Sequence, residues 1–359
     1  MDNYYALIMA GGGGTRLWPL SRRKRPKQML PLVSKDSLFR VSVTRLAPLF
    51  PPERIYIITG QDQVEALRAD VPEVPADNFI VEPFGRDSGP AAALGVAYIA
   101  HQNPDAVVAI LTADHYIGDV WGFVDALRAA YDVAQNGHIV TLGITPTYPA
   151  TGFGYIQQGN PLPFSHKVQV YQSAGFKEKP DSTTAQTFLD SGLYSWNSGM
   201  FIWQATQAMA EFERQQPALF DTLQQIRAAL GKENYSAALE QAWQAMPKLS
   251  LDYAVMENAP NMAMIPVDIG WSDIGSWAAV YDELASQPGD NVVMDSGQHI
   301  PIDSHGMLIN SNRAVVTIGL KDLVIVDTDD VLMICDLKQA QDVKRAVQYI
   351  QEHGLDTYL

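Results

Sequence analysis

A run of four glycines directly after a short apolar segment constrains this chain more than any other feature. Residues 4–9 form the apolar segment and predict a buried strand, and Gly11–Gly14 follow it almost at once. Consecutive glycines add nothing to a core, but they permit positive φ angles and free backbone N–H groups, so the chain can bend closely around an anion. Six cationic residues lie within twelve positions after the glycines: Arg16, Arg22, Arg23, Lys24, Arg25 and Lys27. The stretch therefore predicts an anion-binding loop.

The spacing excludes two common phosphate-binding loops. A P-loop requires Gly-Lys-Ser/Thr after four variable residues, and the stretch has no such sequence. The dinucleotide fingerprint requires a third glycine, but Gly11 and Gly13 lead to Arg16, and Gly12 and Gly14 lead to Leu17. A plain glycine-rich turn before a solvated basic segment remains the alternative.

Overall charge limits the partners of the chain. The 359 residues carry a formal net charge of −15, which argues against broad nucleic-acid or membrane binding, because both depend on basic surfaces. Cys335 is the only cysteine, which excludes an intramolecular disulfide and fits the reducing cytoplasm. The N-terminus lacks a signal-peptide pattern, and no segment approaches the roughly 20 apolar residues of a membrane span. We expect a cytoplasmic protein.

Strand and helix patterns alternate over the first part of the chain. Apolar runs that predict strands are separated by segments with helical spacing, which predicts a Rossmann-like α/β domain with a mixed, mostly parallel sheet. In such sheets ligands bind at the carboxyl ends of the strands. The glycine loop, the loop at Glu82 and the loop at Asp114 all follow predicted strands. These three loops are the predicted location of the site.

The pattern changes near residue 287. Apolar runs begin at Met307, Val315, Leu323 and Val331, with an even spacing of eight and polar turns between them. Regular short strands predict a small all-β unit, either a β-solenoid or an antiparallel meander. Residues 340–353 predict a final amphipathic helix. We therefore predict domains at 1–286 and 287–359.

The first motif resembles the signature of a known enzyme family. A strand, a glycine loop with Arg16 and a Pro-Lys pair at 26–27 resemble the sugar-1-phosphate nucleotidylyltransferases. The continuation Leu-Trp-Pro-Leu-Ser at 17–21 resembles their mannose-1-phosphate guanylyltransferase branch. The resemblance extends over nearly the whole chain and implies a short form of the family with a left-handed β-helix at its end. It also implies transfer of GMP from GTP to α-D-mannose 1-phosphate, which releases GDP-mannose and pyrophosphate and requires Mg²⁺.

The resemblance assigns the nucleotide side of the site. Arg16, as a planar fork, and Lys27, as a point charge, are expected to hold the triphosphate. Asp87 stands where the branch usually has Asn, and a carboxylate there can accept from guanine N1–H and N2–H but cannot donate to O6. The expected nucleotide-binding residues are Gly11, Gly12, Gly13, Gly14, Thr15, Glu82, Arg86 and Asp87.

Two distant aspartates resemble the metal pair of the family. Asp114 follows a predicted strand, and Asp273 lies in a Trp-Ser-Asp loop. Mg²⁺ prefers hard oxygen ligands and commonly takes one or two carboxylates together with phosphate oxygens. The alternative is that Asp114 caps a helix and Asp273 is a turn residue. We assign His115 a structural or positioning role, because an ionised phosphate nucleophile needs no base.

A third group of residues resembles the sugar-phosphate side of the family. Glu178 suits two sugar hydroxyls, and the adjacent Lys179 suits the sugar phosphate. Asn197, in an Asn-Ser-Gly segment, suits further hydroxyls, and Gly152 and Tyr155 match a sugar-side loop. Taken singly, these motifs are also typical of solvated turns. Asp252 is interpreted as a substrate contact or a structural contact.

Two other functions remain open at this point. A related nucleotidylyltransferase would use another base or another sugar, and a non-catalytic member of the fold would bind nucleotide sugars without turnover. Arg16, Lys27, Asp114 and Asp273 are all present, which favours an enzyme. By analogy with relatives, a homodimer is a further expectation.

Overall fold

The computed structural model describes residues 1–12 and 14–359, so the predicted nucleotide contact at Gly13 lies outside the described residues. The chain forms two compact units. The sheet unit consists of Met1–Gly11, Val43–Thr112 and Ile117–Trp271, and the ladder unit consists of Gly12–Ser42, Ala113–Tyr116 and Ser272–Leu359. Two short strands, Tyr116–Ile117 and Trp271–Ser272, lie at the points where the chain passes between units.

A nine-stranded sheet organises the sheet unit. Its strands are β1 (Tyr4–Ala10), β2 (Ile55–Gly60), β3 (Phe79–Glu82), β4 (Val107–Thr112), β5 (Ile139–Ile144), β6 (Tyr155–Pro161), β7 (Tyr171–Lys177), β8 (Tyr194–Gln204) and β9 (Met262–Val267). Their order is β3-β2-β1-β4-β8-β5-β9-β7-β6, and β6 also pairs with β8. β1 to β4 pair in parallel, as do β5 and β9. β8 runs antiparallel to both β4 and β5, and the pairings of β6 and β7 are also antiparallel, so the sheet is mixed as predicted but is not mostly parallel.

Helices cover this sheet because its strands are apolar on both faces. The α-helices of the chain are α1 (Leu38–Thr44), α2 (Val64–Asp70), α3 (Ser88–Gln102), α4 (Val120–Gln135), α5 (Ser182–Ser191), α6 (Ala205–Gln215), α7 (Pro217–Ala229), α8 (Tyr235–Trp243), α9 (Leu251–Ala254), α10 (Trp277–Leu284) and α11 (Val343–Glu352). The alanine-rich α3 packs against β1, where a Cβ on Gly95 would lie 2.4 Å from Leu7 Cδ2. The small residues of α3 therefore permit a close helix–sheet contact.

The ladder unit contains short strands, most of which pair in parallel. They are β10 (Val292–Val293), β11 (His299–Ile302), β12 (Leu308–Asn310), β13 (Val315–Ile318), β14 (Leu323–Asp327) and β15 (Leu332–Asp336). β10, β12 and β14 form one parallel ladder, and β11 and β13 form another. Partner residues lie 16 positions apart in both ladders. The antiparallel meander is therefore wrong for these strands, although β14 and β15 do pair antiparallel.

The core of the ladder unit joins its N-terminal loop to its C-terminal elements. Leu17 and Trp18 pack in one apolar cluster with Trp277, Leu308 and Val347. The predicted final helix is confirmed as α11, preceded by a 3₁₀ segment at 337–342. Among the residues that the structure describes, no helix combines the length and apolarity needed to cross a membrane.

Candidate phosphate and sugar sites

A polar cavity in the ladder unit is lined by all four predicted catalytic residues. Its volume is about 320 Å³, and we call it the loop cavity. Its lining residues are Gly14, Thr15, Arg16, Leu17, Lys27, Asp114, His115, Asp273, Ile274 and Gly275. Arg16 and Thr15 are exposed in this cavity. Gly11 and Gly12 are also exposed, but they do not line the cavity. The structure thus brings together both predicted cations and both predicted metal ligands.

Lys27 is the buried cation of this cavity. Its side chain is 9% exposed, and Nζ donates to Asp114 Oδ2 at 2.8 Å and also to the Asp273 carbonyl oxygen. Lysine is almost never buried unless it is paired, so these two acceptors account for its position. Gly14, at φ +57°, makes room for it, because a Cβ there would lie 2.3 Å from Lys27 Cβ. The glycine loop and the Pro-Lys motif therefore depend on each other sterically.

Asp114 is held in its charged form. Burial by itself raises the pKa of this carboxyl, but the nearby Lys27 ammonium and His115 outweigh burial, and the net pKa lies below the usual value. His115 Nε2 is 3.8 Å from Asp114 Oδ1, so the ring lies beside this carboxylate. An ionised Asp114 with one third of its side chain exposed remains available to a cation in the cavity.

A tight turn fixes Asp273. The Gly275 N–H donates to Asp273 Oδ1 at 3.0 Å, and a Cβ on Gly275 would lie 2.5 Å from Asp273 Oδ2. Ile274 between them has φ +45°, which is unfavourable for a β-branched residue, and its side chain is completely buried. Packing of Ile274 in the core therefore holds the backbone in a strained form that aims the Asp273 carbonyl at Lys27.

The donor set of the cavity suits Mg²⁺ better than a softer metal. Asp114 and Asp273 contribute hard carboxylate oxygens, whereas residues 1–12 and 14–359 contain no cluster of three or more His, Cys, Asp or Glu that could hold a metal alone. Mg²⁺ commonly takes only one or two carboxylates and completes its shell with water and phosphate oxygens. The residues present therefore fit this ion when a phosphate substrate is bound.

A second polar group lies in the sheet unit, and we call it the carboxylate cluster. It consists of Glu178, Lys179, Asn197 and Asp252. Lys179 Nζ donates to Glu178 Oε1 at 2.6 Å, and Asn197 Nδ2 donates to Asp252 Oδ1 at 2.8 Å. Asn197 Oδ1 accepts from the Gly199 N–H at 3.1 Å, so the orientation of the amide is determined by its neighbours. Three of the predicted sugar-side residues and Asp252 therefore form two hydrogen-bonded pairs, and the charges of Glu178 and Lys179 both act on Asp252.

Burial and neighbouring charges raise pKa values in this cluster. Burial, and then the charge of Glu178, raise the pKa of Asp252 to about 6. The pKa of Lys179 is raised, chiefly because its ammonium donates a hydrogen bond to Glu178. From the sequence, Asp252 could be either a substrate contact or a structural contact, because its partner Asn197 lies 55 residues away. Its proximity to Asn197 and Glu178 makes it a further candidate for the sugar side.

The two sugar-side loop residues are placed differently from the expectation. Tyr155 is completely buried, and its hydroxyl donates to the Ala150 carbonyl oxygen at 2.9 Å, which is a structural position. A Cβ on Gly152 would meet no described atom within 4 Å, whereas one on Gly154 would lie 2.5 Å from Glu178 Oε2 and 3.3 Å from Asn197 Cβ. Gly154, which the sequence analysis did not select, is thus the glycine that borders the cluster.

The predicted base-binding segment follows β3 in the sheet unit. Burial raises the pKa of Glu82 to about 7. Arg86 lies over the Phe84 ring and donates to the Gln244 carbonyl oxygen at 2.9 Å. Asp87, exposed and with φ +70°, is the N-cap of α3 and accepts from the Ser88 N–H at 2.8 Å. A capping carboxylate keeps its second oxygen free for another donor, so the cap does not conflict with the predicted base contact.

Comparison with known proteins identifies the family. A family model described as "Nucleotidyl transferase" matches residues 5–287, and one described as "MannoseP isomerase/GMP-like beta-helix domain" matches residues 297–350. The chain belongs to the nucleotidyl transferase family. This nucleotidyl transferase therefore has an α/β catalytic part and a C-terminal β-helix-like domain.

Proteins similar to this nucleotidyl transferase are named as enzymes of mannose 1-phosphate. A mannose-1-phosphate guanylyltransferase from Klebsiella pneumoniae is 37% identical over 357 residues, which cover 98% of this chain and 75% of the relative. A mannose-1-phosphate guanylyltransferase from Escherichia coli (strain K12) is 35% identical, and the match covers 98% of this chain and 74% of the relative. A crystal structure named "mannose-1-phosphate geranyltransferase", from Thermus thermophilus, is 34% identical, has a TM-score of 0.88, and covers 97% of this chain and 99% of that one.

Proposed function

We propose that this nucleotidyl transferase transfers GMP from GTP to α-D-mannose 1-phosphate and releases pyrophosphate. The observation that carries the proposal is the loop cavity, where a buried lysine connects the loops of two aspartates beside a glycine-rich loop. The substrates are those of the guanylyltransferases that this chain matches over 98% of its length. The products are GDP-mannose and pyrophosphate.

The loop cavity binds the triphosphate. Lys27 and the exposed Arg16 supply positive charge, and the backbone N–H groups of the glycine loop donate to phosphate oxygens. Asp114 and Asp273 would hold Mg²⁺, which supplies charge neutralisation on the phosphate oxygens when it is bound. The arrangement stabilises charge that moves onto the departing pyrophosphate, which is the main requirement of a phosphoryl-type transfer.

The carboxylate cluster binds the sugar phosphate. Glu178 accepts hydrogen bonds from sugar hydroxyls, Asn197 both donates and accepts, and the ammonium of Lys179, whose side chain is 58% exposed, supplies positive charge for the sugar phosphate. The phosphate oxygen of mannose 1-phosphate attacks the α-phosphorus of GTP, and the bond from that phosphorus to the pyrophosphate oxygen breaks. A phosphate monoester has a second pKa of about 6, so the nucleophile is already ionised at neutral pH and transfers no proton to the protein.

The base is bound by the segment after β3. Asp87 accepts from guanine N1–H and N2–H, and Glu82 and Arg86 support the same segment. Related chemistry with another base or sugar is the second candidate, because Asp87 cannot donate to guanine O6. We further propose a left-handed β-solenoid for the parallel ladders, a domain boundary at 286–287, a cytoplasmic location and a homodimer.

Pyrophosphate release with Mg²⁺ tests the proposal. GTP is compared with ATP, UTP and dTTP, and mannose 1-phosphate is compared with glucose 1-phosphate. We expect release that depends on mannose 1-phosphate and is fastest with GTP. Release with a different pair of nucleoside triphosphate and sugar phosphate would support the same mechanism with another substrate specificity. No release with any pair would favour a non-catalytic binding protein.

A further inference from the structure

Arg22 belongs to the basic segment after the glycine loop, but it does not line the loop cavity. Its side chain is 18% exposed and makes a bidentate ion pair with Asp330, from Nη2 to Oδ1 at 2.9 Å and from Nη1 to Oδ2 at 3.3 Å. Its Nε donates to the Pro19 carbonyl oxygen at 2.7 Å, and Nη1 also donates to the Tyr358 carbonyl oxygen. The guanidinium therefore makes four hydrogen bonds within the chain, although it has only five N–H donors, which is unlike an arginine kept available for a phosphate.

The residue before Arg22 connects it to the cavity. Ser21 is buried, and its Oγ donates to the Gly14 carbonyl oxygen at 2.7 Å, while its N–H donates to the Leu17 carbonyl oxygen at 3.0 Å. Gly14 and Leu17 both line the loop cavity. A displacement of residues 21–22 would therefore be passed directly to the backbone that surrounds the phosphate site.

Trp18 makes a parallel attachment to the same C-terminal segment. Its Nε1 donates to the Tyr358 carbonyl oxygen at 2.7 Å, and its own carbonyl oxygen accepts from Trp277 Nε1 at 3.0 Å. The Arg22 guanidinium lies 5.9 Å from the centre of the Trp18 ring. Trp18 and Arg22 thus both donate to the Tyr358 carbonyl oxygen, and Arg22 also pairs with Asp330; both partners are more than 300 positions away in the sequence.

We infer that Arg22 is a positioning residue that attaches the triphosphate-binding loop to the C-terminal part of the ladder unit through Asp330 and Tyr358. The inference rests on the proposed function for its kinetic consequence only. It divides the signature stretch into residues up to Arg16 that serve the phosphates and residues from Leu17 to Arg22 that anchor the loop. Arg23 provides the contrast, because its side chain is 71% exposed and approaches Asp356 only to 3.9 Å.

The test compares R22Q, R22K and D330N with R23Q as the matched control. We expect R22Q and D330N each to raise the KM for GTP about tenfold while the KM for mannose 1-phosphate changes by less than about twofold, because a small misplacement of phosphate-binding groups is costly. R22K keeps the charge without the planar fork, so its KM should be intermediate. The double variant R22Q/D330N should be no worse than the more affected single variant, because both remove the same pair.

Hydrogen exchange of a peptide covering residues 14–22, measured without ligand, tests the anchor independently of catalysis. Exchange should be faster in R22Q and D330N than in the wild type and unchanged in R23Q. If the wild type forms no GDP-mannose, the proposed function fails while this comparison still decides the anchor. If D330N matches the wild type in both exchange and KM, the inference is wrong. D330N alters a side chain that is 45% exposed, so it serves even if R22Q does not fold.

Discussion

The loop cavity and the carboxylate cluster use the same residue types with opposite burial. In the loop cavity the cation is buried, since Lys27 is 9% exposed, and the pKa of its partner Asp114 is lowered. In the carboxylate cluster the cation is the exposed member, and the pKa of the partly buried Asp252 is raised to about 6. A buried cation prepares a site for anions, whereas crowded carboxylates prepare a site for hydroxyl donors. The difference matches a polyphosphate for the first site and a sugar for the second.

Removal of the buried cation should have the largest effect on this contrast. K27M should lower kcat by about 10³-fold, because it removes a preorganised positive charge and leaves Asp114 without the partner that offsets its burial. Steady-state pyrophosphate release measures the change, and circular dichroism checks the fold. The exposed Lys24 gives the control K24M. A loss in K24M as large as that in K27M would contradict a special role for burial.

Replacement of the second aspartate should follow in magnitude. D273A should lower kcat by about 10²-fold or more and raise the Mg²⁺ concentration needed for half-maximal rate. A titration with MgCl₂ at saturating substrates measures both effects. Turnover like that of the wild type, at the same Mg²⁺ requirement, would exclude Asp273 as a metal ligand.

The raised pKa of Asp252 in the carboxylate cluster should make the stability of the protein depend on pH. Asp252 has a folded-state pKa of about 6, above the usual 3.8, so the folded state holds its proton more tightly than the unfolded state between these values. The stability of the wild type relative to D252N should therefore fall as the pH rises from about 4 to about 6, by up to about 3 kcal/mol. Urea unfolding at several pH values measures this, with D221N, on exposed Asp221, as control. A stability difference between the wild type and D252N that does not change with pH would show that the pKa of Asp252 is not raised.

The two glycines of the sugar-side loop give the smallest effect and the sharpest comparison. G154A places a Cβ against Glu178 and Asn197 and should raise the KM for mannose 1-phosphate about tenfold, with the KM for GTP little changed. G152A should have a smaller effect, because its Cβ would point into open space. The reverse order would restore Gly152 as the sugar-side residue.

Prediction from sequence succeeded where the signal is local. The buried β1, the parallel pairing of the first four strands and the final amphipathic helix all follow from short-range patterns of apolar residues, and the structure confirms them. The antiparallel direction of β8 and its place between β4 and β5 were not predicted, because strand direction depends on partners distant in sequence. Tyr155 was placed at the sugar side although its ring is buried, because the face on which a strand residue points depends on the pairing.

By itself, the sequence determined that a glycine loop with cations follows a buried strand and that carboxylates follow later strands, because both are properties of neighbouring residues. Only the tertiary structure decided which of these cations would be buried. Lys27 meets Asp114 and the Asp273 carbonyl, whereas Arg22 meets Asp330, although both cations lie in one basic segment. The physical reason is that the partner of a charged side chain is set by long-range packing, and burial is tolerated only where that packing supplies the opposite charge.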